Sequence, residues 1–242
     1  MMDVAVYSHL EYSDCWPAFF GEFNKYCTVD FDNKYIFSNE LDGSEDSSFQ
    51  HVAYNDSEAY TDRLLSCLKQ LGRGKVLFTH EDMILCDTVD ENYLKEAEEA
   101  VGDVDFVKLL KGGSPKDTRE DIKYKSSKVL KYCRHTFDYV FAIQPTIWKT
   151  ERLIELLENN LGQSIWEFET VGQEYCRKAN YKGLYSFHRD DVQRGHFHWH
   201  STVYPYIATA VHKGKWVTSE YPAELNNLFT EYNINPEIRG TT

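Results

Sequence analysis

Two adjacent carboxylates, Glu81 and Asp82, follow directly on an apolar run in the sequence VLFTHEDMIL. The run predicts a buried strand, and in parallel α/β folds ligands bind outside the carboxyl ends of the strands. Carboxylate oxygens at such a place suit a hard divalent cation, Mn²⁺ or Mg²⁺, that carries a diphosphate. The alternative interpretation is a solvated acidic turn. The pattern therefore predicts either a metal site or a plain surface turn at this point of the chain.

A second group of candidates combines amides and carboxylates with aromatic rings. Gln144 and Trp148 lie in QPTIW, and Trp166, Glu167 and Glu169 lie in WEFE. Polar groups among aromatic rings are typical of a ligand-binding cleft. A carboxylate within reach of a hydroxyl can accept its proton, so Glu169 or Glu167 is a candidate general base. The alternative is that the aromatic rings pack in the core and the glutamates face water.

Three histidines, His196, His198 and His200, alternate along the sequence HFHWH. Alternating side chains of a strand point to one face, and neutral imidazoles placed in this way can bind zinc. The string FHWH is also similar to the zinc-binding strand of α-type carbonic anhydrases, whose mostly-β body differs from the mixed pattern of this chain. A zinc hydratase or hydrolase is therefore one alternative function, and structural histidines are the other interpretation.

Charge and composition exclude several classes of function. The chain has 242 residues, with 26 Lys and Arg against 39 Asp and Glu, which gives a net charge of −13. Non-specific nucleic-acid binding and polybasic membrane anchoring need clustered cations, so we expect neither nucleic acid nor a membrane surface as a partner. The start of the chain does not resemble a signal peptide, no apolar run reaches the length of a membrane span, and the six cysteines are scattered. These features predict a cytoplasmic protein with reduced thiols.

Hydrophobic periodicity predicts strands that alternate with helices along the chain. The predicted strands are 3–8, 35–39, 75–82, 105–110 and 138–148, and the predicted helices are 17–27, 57–71, 90–101, 150–161, 164–179 and 221–234. The acidic stretch 40–50 and the charged stretch 111–128 are predicted loops, and the second of them could close over a ligand. This alternation predicts an α/β fold in one domain, 1–242, with a mostly parallel sheet flanked by helices.

Several blocks of this sequence resemble a known family. VLFTHEDMILCDTVDENYL, FVKLL, FAIQPTIWKTERLIELL, SIWEFE and YIATAVHKGKW with a terminal RG are similar to bacterial and viral glycosyltransferase-like proteins linked to surface-polysaccharide or capsid glycan synthesis. The resemblance implies a GT-A-type fold, with a Rossmann-like nucleotide-binding sheet and a smaller acceptor-side half. It also implies that an acidic motif after a central strand holds the metal that bridges the donor diphosphate. Glu81 and Asp82 stand at that place, in a departure from the usual Asp-x-Asp spacing.

The resemblance implies roles for residues outside the acidic pair. Ser8 and His9, at the end of the first strand, would receive the nucleoside of the donor. Arg63 would contact a phosphate or the base, and its alternative is a surface salt bridge. Lys213 and Lys215 would contact the diphosphate as point charges, and their alternative is a pair of exposed lysines in a turn.

Two histidines are further candidates, because a C-terminal histidine completes the metal shell in some GT-A enzymes. The resemblance therefore makes His212 and His198 candidates for the metal or donor site.

The predicted function is transfer of a sugar from a nucleotide-sugar donor to a glycan, a glycoprotein or another hydroxyl acceptor. Asp82 is the favoured metal ligand, and Trp148 and Trp166 would stack on sugar rings. An inverting enzyme would use Glu169 as its base, whereas a retaining enzyme would place Gln144 near the anomeric centre. The alternative outside catalysis is a GT-A-like glycan-binding module without turnover.

Overall fold

A mixed sheet of eight strands forms the centre of the molecule. The structure is a computed structural model that describes residues 2–112, 121–135, 140–194 and 198–242, and of His198 the backbone alone. The strands are β1 (Asp3–Tyr7), β2 (Lys34–Ser38), β3 (Gln50–Ala53), β4 (Lys75–His80), β5 (Phe106–Lys108), β6 (Leu130–Cys133), β7 (Thr146–Lys149) and β8 (Gly183–Ser186). Their order is β3-β2-β1-β4-β7-β5-β8-β6, and β6 and β7 run antiparallel to the other six.

Helices cover both faces of this sheet. A 3-10 helix spans Leu10–Cys15, and the α-helices are α1 (Trp16–Tyr26), α2 (Tyr60–Leu68), α3 (Glu91–Ala100), α4 (Thr150–Glu158), α5 (Ile165–Lys178), α6 (Pro222–Glu231) and α7 (Pro236–Arg239). Two small hairpins follow the sheet, β9 (Gln193–Arg194) with β10 (His198–Trp199) and β11 (Val211–His212) with β12 (Lys215–Trp216). No helix in these described ranges combines the length and the apolar character that a bilayer span requires.

Two hydrophobic cores lie on opposite faces of the sheet, as the alternation along β1 shows. Val4 and Val6 pack in the core shared with α1, α3 and α6, while Ala5 and Tyr7 pack in the core shared with α2, α4 and α5. Strands that are apolar on both faces are characteristic of sheets covered by helices on both sides. The predicted class, an α/β fold with a mostly parallel sheet, is therefore confirmed.

Four strands of the sheet differ from the predicted elements. β3, β6 and β8 have no counterpart among the five predicted strands, because each has only four residues and β3 buries only Val52. The predicted strand 138–148 begins later, at Thr146, where Pro145 ends an irregular segment and accepts a hydrogen bond from the Leu109 backbone. Residues 138 and 139 of that prediction, and 113–120 of the predicted loop 111–128, lie outside the described residues.

Strand order brings the carboxyl ends of β1 and β4 together. The chain proceeds from β1 to β2 and β3 on one side and returns on the other side as β4, with Tyr7 paired to His80. Such a reversal of strand order is the topological switch point at which α/β sheets bind ligands. Because β7 is antiparallel, its amino end lies at the same edge, and Thr146 pairs with both Phe78 and Lys108.

The contact between β8 and β5 provides a test of how tightly the core is packed. A Cβ atom added to Gly183 would lie 2.1 Å from Cζ of Phe106, a fully buried ring. We expect Gly183→Ala to destabilise the protein by about 1–3 kcal/mol, as overpacking does. Gly72→Ala is the matched control, because nothing lies within 4 Å of its added Cβ. Urea unfolding of both variants measures the difference, and equal midpoints would contradict this packing.

Candidate functional site

A cavity of about 580 Å³ opens at the edge of the sheet next to the switch point. Its wall is built from residues that follow β4 and β5, residues that precede β7, the first turns of α5 and the segment around β11. Five of the residues predicted from the sequence line it: Asp82, Gln144, Trp166, Glu169 and His212. The fold therefore brings together a carboxylate from the acidic pair, a candidate base and a candidate stacking ring.

The two acidic residues of the pair differ in their surroundings. Glu81 is 6% exposed and lies outside the cavity wall, whereas Asp82 is half-buried and lines it. Burial, and then the Asp82 charge, raises the pKa of Glu81 well above its usual range. Burial raises the pKa of Asp82 to about 6, against an opposing effect of the Arg239 charge. Of the two acidic residues of this pair, only Asp82 therefore presents an ionised carboxylate to the cavity at neutral pH.

The number of donor atoms around Asp82 determines which kind of metal site is possible there. Nowhere in the described parts of the chain do three or more His, Cys, Asp or Glu side chains converge to hold an ion. Mg²⁺ commonly keeps several waters and binds through one or two carboxylates together with substrate phosphates. A single carboxylate such as Asp82 is better suited to a cation that is shared with substrate phosphates than to a cation that is ligated by the protein alone. Glu81, the second predicted ligand, does not face the cavity.

The two glutamates of α5, Glu167 and Glu169, also differ in their surroundings. Glu167 is exposed and closes a capping box, in which its Oε2 accepts a hydrogen bond of 2.9 Å from the Ser164 backbone. Glu169 lines the cavity, and its Oε1 accepts a hydrogen bond of 3.0 Å from the Ile143 backbone. Burial raises the pKa of Glu169, although that hydrogen bond and the Lys108 charge oppose the shift. Only Glu169 of this pair is placed to take a proton from a ligand in the cavity.

The two tryptophans have opposite environments. Trp166 is 58% exposed at the cavity and meets His212 edge to face, with ring centroids 5.6 Å apart. Trp148 is 2% exposed and packs between Phe106 and Phe141, at 4.7 and 6.0 Å between centroids. Its ring therefore has no free face for a sugar, and the predicted stacking role of Trp148 is replaced by a role in the core.

Gln144 is a polar group in the cavity wall that the protein itself holds in place. It is buried, and its Nε2 donates a hydrogen bond of 3.3 Å to the Leu110 carbonyl. The amide oxygen takes no part in that bond.

Ser8 and His9 follow β1 at the switch point, outside the cavity wall. The buried Ser8 hydroxyl accepts a hydrogen bond of 2.7 Å from Nε1 of Trp16. His9 caps the 3-10 helix, where its Nδ1 accepts from the Glu11 backbone at 3.0 Å, and its Nε2 lies 3.1 Å from an Asp56 carboxylate oxygen. Both side chains therefore have defined partners within the protein.

The predicted cations of the donor site lie away from the cavity wall. Arg63 forms an ion pair of 3.0 Å with Asp56 and lies over the Tyr54 ring at 5.4 Å, so the salt bridge that was its alternative is present. Lys213 is exposed in the turn between β11 and β12, and Lys215 is exposed at the start of β12. The hairpin therefore contributes His212 to the cavity wall, and its lysines point to solvent.

The structure describes only part of the group of alternating histidines. His196 and the side chain of His198 lie outside the described residues, and the backbone of His200 donates a hydrogen bond of 2.8 Å to Val192. The zinc hydratase or hydrolase therefore stays a prediction from the sequence.

The structure adds His80 to the candidate residues. It lines the cavity at the end of β4, and its Nε2 lies 3.1 Å from the Tyr60 hydroxyl. Burial lowers the pKa of His80 to about 3, so the ring is neutral at physiological pH. Its position directly before Glu81 is the sequence signal that could have identified it. Thr209 and Glu220, which also line the cavity, come from a segment without a comparable signal.

Comparisons with known proteins give distant structural similarities. No protein family matches the sequence, and no curated protein is similar to it. The bifunctional IspDF from Campylobacter jejuni superposes with a TM-score of 0.46 at 13% identity, over 76% of this chain and 48% of that chain. CMP:2-keto-3-deoxy-manno-octonic acid synthetase in complex with CTP gives a TM-score of 0.45 at 8% identity, over 76% of this chain and 89% of that chain. The chain thus spans about half the length of the Campylobacter protein, and its resemblance to GT-A enzymes stays a prediction.

Proposed function

We propose that this chain is a glycosyltransferase, which moves a sugar from a nucleotide-sugar donor to a hydroxyl of a glycan or glycoprotein. The observation that carries the proposal is that Asp82 and Glu169 line one cavity beside the switch point. Trp166, largely exposed at that cavity, supplies an apolar face of the kind that sugar rings stack on. The proposed transfer needs two carboxylates, one near the donor diphosphate and one near the acceptor hydroxyl.

Asp82 is the residue that would hold a divalent cation with the donor diphosphate. When bound, Mn²⁺ or Mg²⁺ neutralises the negative charge that develops on the leaving diphosphate. Asp82, with a pKa of about 6, is ionised at neutral pH and available as a ligand. Such a cation would let an acidic protein accept a doubly charged diphosphate at this edge of the sheet.

Glu169 is the proposed general base of an inverting transfer. The acceptor hydroxyl would give its proton to the carboxylate as its oxygen forms the new bond to the anomeric carbon and the bond to the diphosphate breaks. The raised pKa of Glu169 makes its carboxylate a stronger base than an exposed glutamate. Its hydrogen bond from the Ile143 backbone fixes the position of one carboxylate oxygen.

A panel of UDP-, GDP- and CMP-sugars, each with Mn²⁺ or Mg²⁺, tests the proposal through release of the free nucleotide. We expect release with at least one donor, and its loss when EDTA removes the cation. Donor binding without release or transfer would support the glycan-binding alternative instead. If no donor binds in calorimetry and none is turned over, the proposed function is wrong.

Trp166 and Trp148 form a matched pair for the stacking role. Trp166→Ala should lower kcat/KM for the acceptor by about fivefold, because a stacked ring contributes about 1 kcal/mol. Its thermal stability should stay near that of the native protein, since the side chain is 58% exposed. Trp148→Ala should instead destabilise the fold by about 3–5 kcal/mol. Full activity of a folded Trp166→Ala variant would exclude the stacking role.

A further inference from the structure

One arginine joins three segments of the chain. Arg239 ends α7, and its side chain is 9% exposed. Its Nε donates a hydrogen bond of 2.9 Å to one oxygen of the Asp14 carboxylate, and its Nη2 donates to the other oxygen and, at 2.9 Å, to the Glu11 carbonyl. Its Nη1 donates to the Gly214 carbonyl at 3.4 Å. The guanidinium therefore connects α7 with the 3-10 helix that follows β1 and with the turn between β11 and β12.

The segment that follows Arg239 continues into the cavity wall. The backbone of Trp216 donates a hydrogen bond of 3.0 Å to the Gly240 carbonyl, and the backbone of Thr242 donates one of 2.9 Å to the Trp216 carbonyl. The segment thereby lies parallel to β12, and Thr242 lines the cavity. The fully buried Trp216 ring packs on Phe229, with ring centroids 5.0 Å apart, so β12 is anchored in the core.

The hairpin that Arg239 contacts supplies another part of the wall. Val211 and His212 of β11 line the cavity, and the His212 ring meets the Trp166 ring of α5 edge to face. The hairpin is thus in contact with α5 through His212 and with Arg239 through its turn. Because β11 and β12 are paired, a displacement of the turn would move the residues of the wall with it.

The contacts of Arg239 require the shape of a guanidinium as well as its charge. The planar group carries five donors in a rigid fork, and it lies over the Tyr12 ring at 4.4 Å. A lysine ammonium is a point charge on a flexible stem and cannot reproduce this geometry. The Arg239 charge also lowers the pKa of Asp82, an effect that a lysine at the same position would largely retain. Replacement by lysine therefore separates the position of the group from its charge.

We infer that Arg239 is a positioning residue, which holds the hairpin β11–β12 and the segment after α7 so that His212 and Thr242 form the ligand-binding wall of the cavity. Arg239 itself does not line the cavity, so it acts through these two residues. The effect on catalysis rests on the proposed function, whereas the effect on the wall does not. A wall that contacts the donor before as well as during the transfer contributes to binding, so its displacement should raise KM more than it lowers kcat.

Hydrogen exchange measured by mass spectrometry tests the effect on the wall. In Arg239→Lys and Arg239→Ala, the amides of Trp216 and Thr242 should exchange at least about tenfold faster than in the native protein, because local opening becomes easier. The amides of β1 should keep their native rates, since the core is unchanged. Native exchange of Trp216 and Thr242 in a folded Arg239→Lys variant would overturn the inference.

Arg152→Lys is the matched control for Arg239→Lys. The Arg152 side chain likewise donates a hydrogen bond of 2.9 Å to a carboxylate, that of Asp105, and lies over a tyrosine ring, that of Tyr181, at 4.9 Å. Arg152 belongs to α4 and does not line the cavity. Its replacement should leave both the exchange of the wall and the KM for the donor at native values.

Kinetics with the donor that the native protein accepts test the effect on catalysis. Both Arg239→Lys and Arg239→Ala should raise the KM for the donor by about tenfold, as loss of about one hydrogen-bonded contact does, and should keep kcat within about twofold. A native KM in Arg239→Lys beside a raised KM in Arg239→Ala would assign the effect to charge and overturn the inference. An unchanged KM in both variants, or a loss confined to kcat, would also overturn it. Faster exchange in the variants of a protein that binds and turns over no donor would overturn the proposed function and leave the positioning of the wall standing.

Discussion

The Asp82→Asn variant is expected to lose at least about 100-fold in metal-dependent sugar transfer, the size of loss that follows removal of one group that stabilises developing charge. Asparagine keeps the shape of the side chain and lacks the charge that, in the proposed function, would hold the cation. Asp82 is the residue of the acidic pair that lines the cavity, so the neighbouring Glu81 cannot replace it. A titration of Mn²⁺ against activity, with saturating donor, should show that added metal does not restore the rate.

The same variant should be more stable than the native protein at neutral pH. In the folded state burial raises the pKa of Asp82 from 3.8 to about 6, so ionisation opposes folding. The stabilising effect of the protonated carboxyl is complete below pH 3.8 and is lost as the pH rises through about 6. Removing the charge should therefore recover about 2 kcal/mol above pH 7, since each pKa unit corresponds to about 1.4 kcal/mol and the half-buried position weakens the effect.

Urea unfolding at pH 4 and pH 8 measures this stability difference. Asp87→Asn is the control, because it removes the same charge from a residue that is exposed in the loop that follows. The gain of Asp82→Asn over the control should appear at pH 8 and vanish near pH 4. A variant that stays fully active would remove Asp82 from the proposed site, whatever its stability.

The fold class could be predicted because its signal is local. Each residue of β1 after Asp3 is apolar and buried, and such runs alternating with amphipathic helices leave few arrangements other than a covered sheet. The direction of β7 could not be predicted in the same way. This strand pairs with β4 on one side and with β5 on the other, and these long-range pairings are not encoded in the local periodicity.

The environment of a site residue could be predicted only where the neighbouring sequence indicates it, for example as the end of a helix. Ser164 and Glu167 stand at the spacing of a capping box, so the sequence does contain the signal that assigns Glu167 to the end of a helix. Trp148 and Trp166 carry no comparable signal, because both lie in mixed apolar and polar runs. Long-range packing of Phe106 and Phe141 against Trp148 decides which of the two tryptophan rings is buried.

Glu169→Gln should lower kcat by about 100- to 10,000-fold with little change in KM for the donor, as expected for loss of a general base. Glutamine keeps an oxygen that can accept the hydrogen bond from the Ile143 backbone, so the fold should be unchanged. The native rate should fall as the pH drops through the raised pKa of Glu169, because only the carboxylate accepts a proton. This part of the pH profile should be absent from the variant.

Glu167→Gln is the matched control for Glu169→Gln, two residues earlier on the same helix. Glu167 is exposed, and glutamine can also close the capping box with Ser164, so native activity is expected. Equal losses in the two variants would indicate damage to α5 rather than loss of a base. A Glu169→Gln enzyme with native kcat would exclude the base role. Analysis of the product anomer would then decide whether the transfer retains configuration, the case in which Gln144, at the cavity wall, becomes the residue to test.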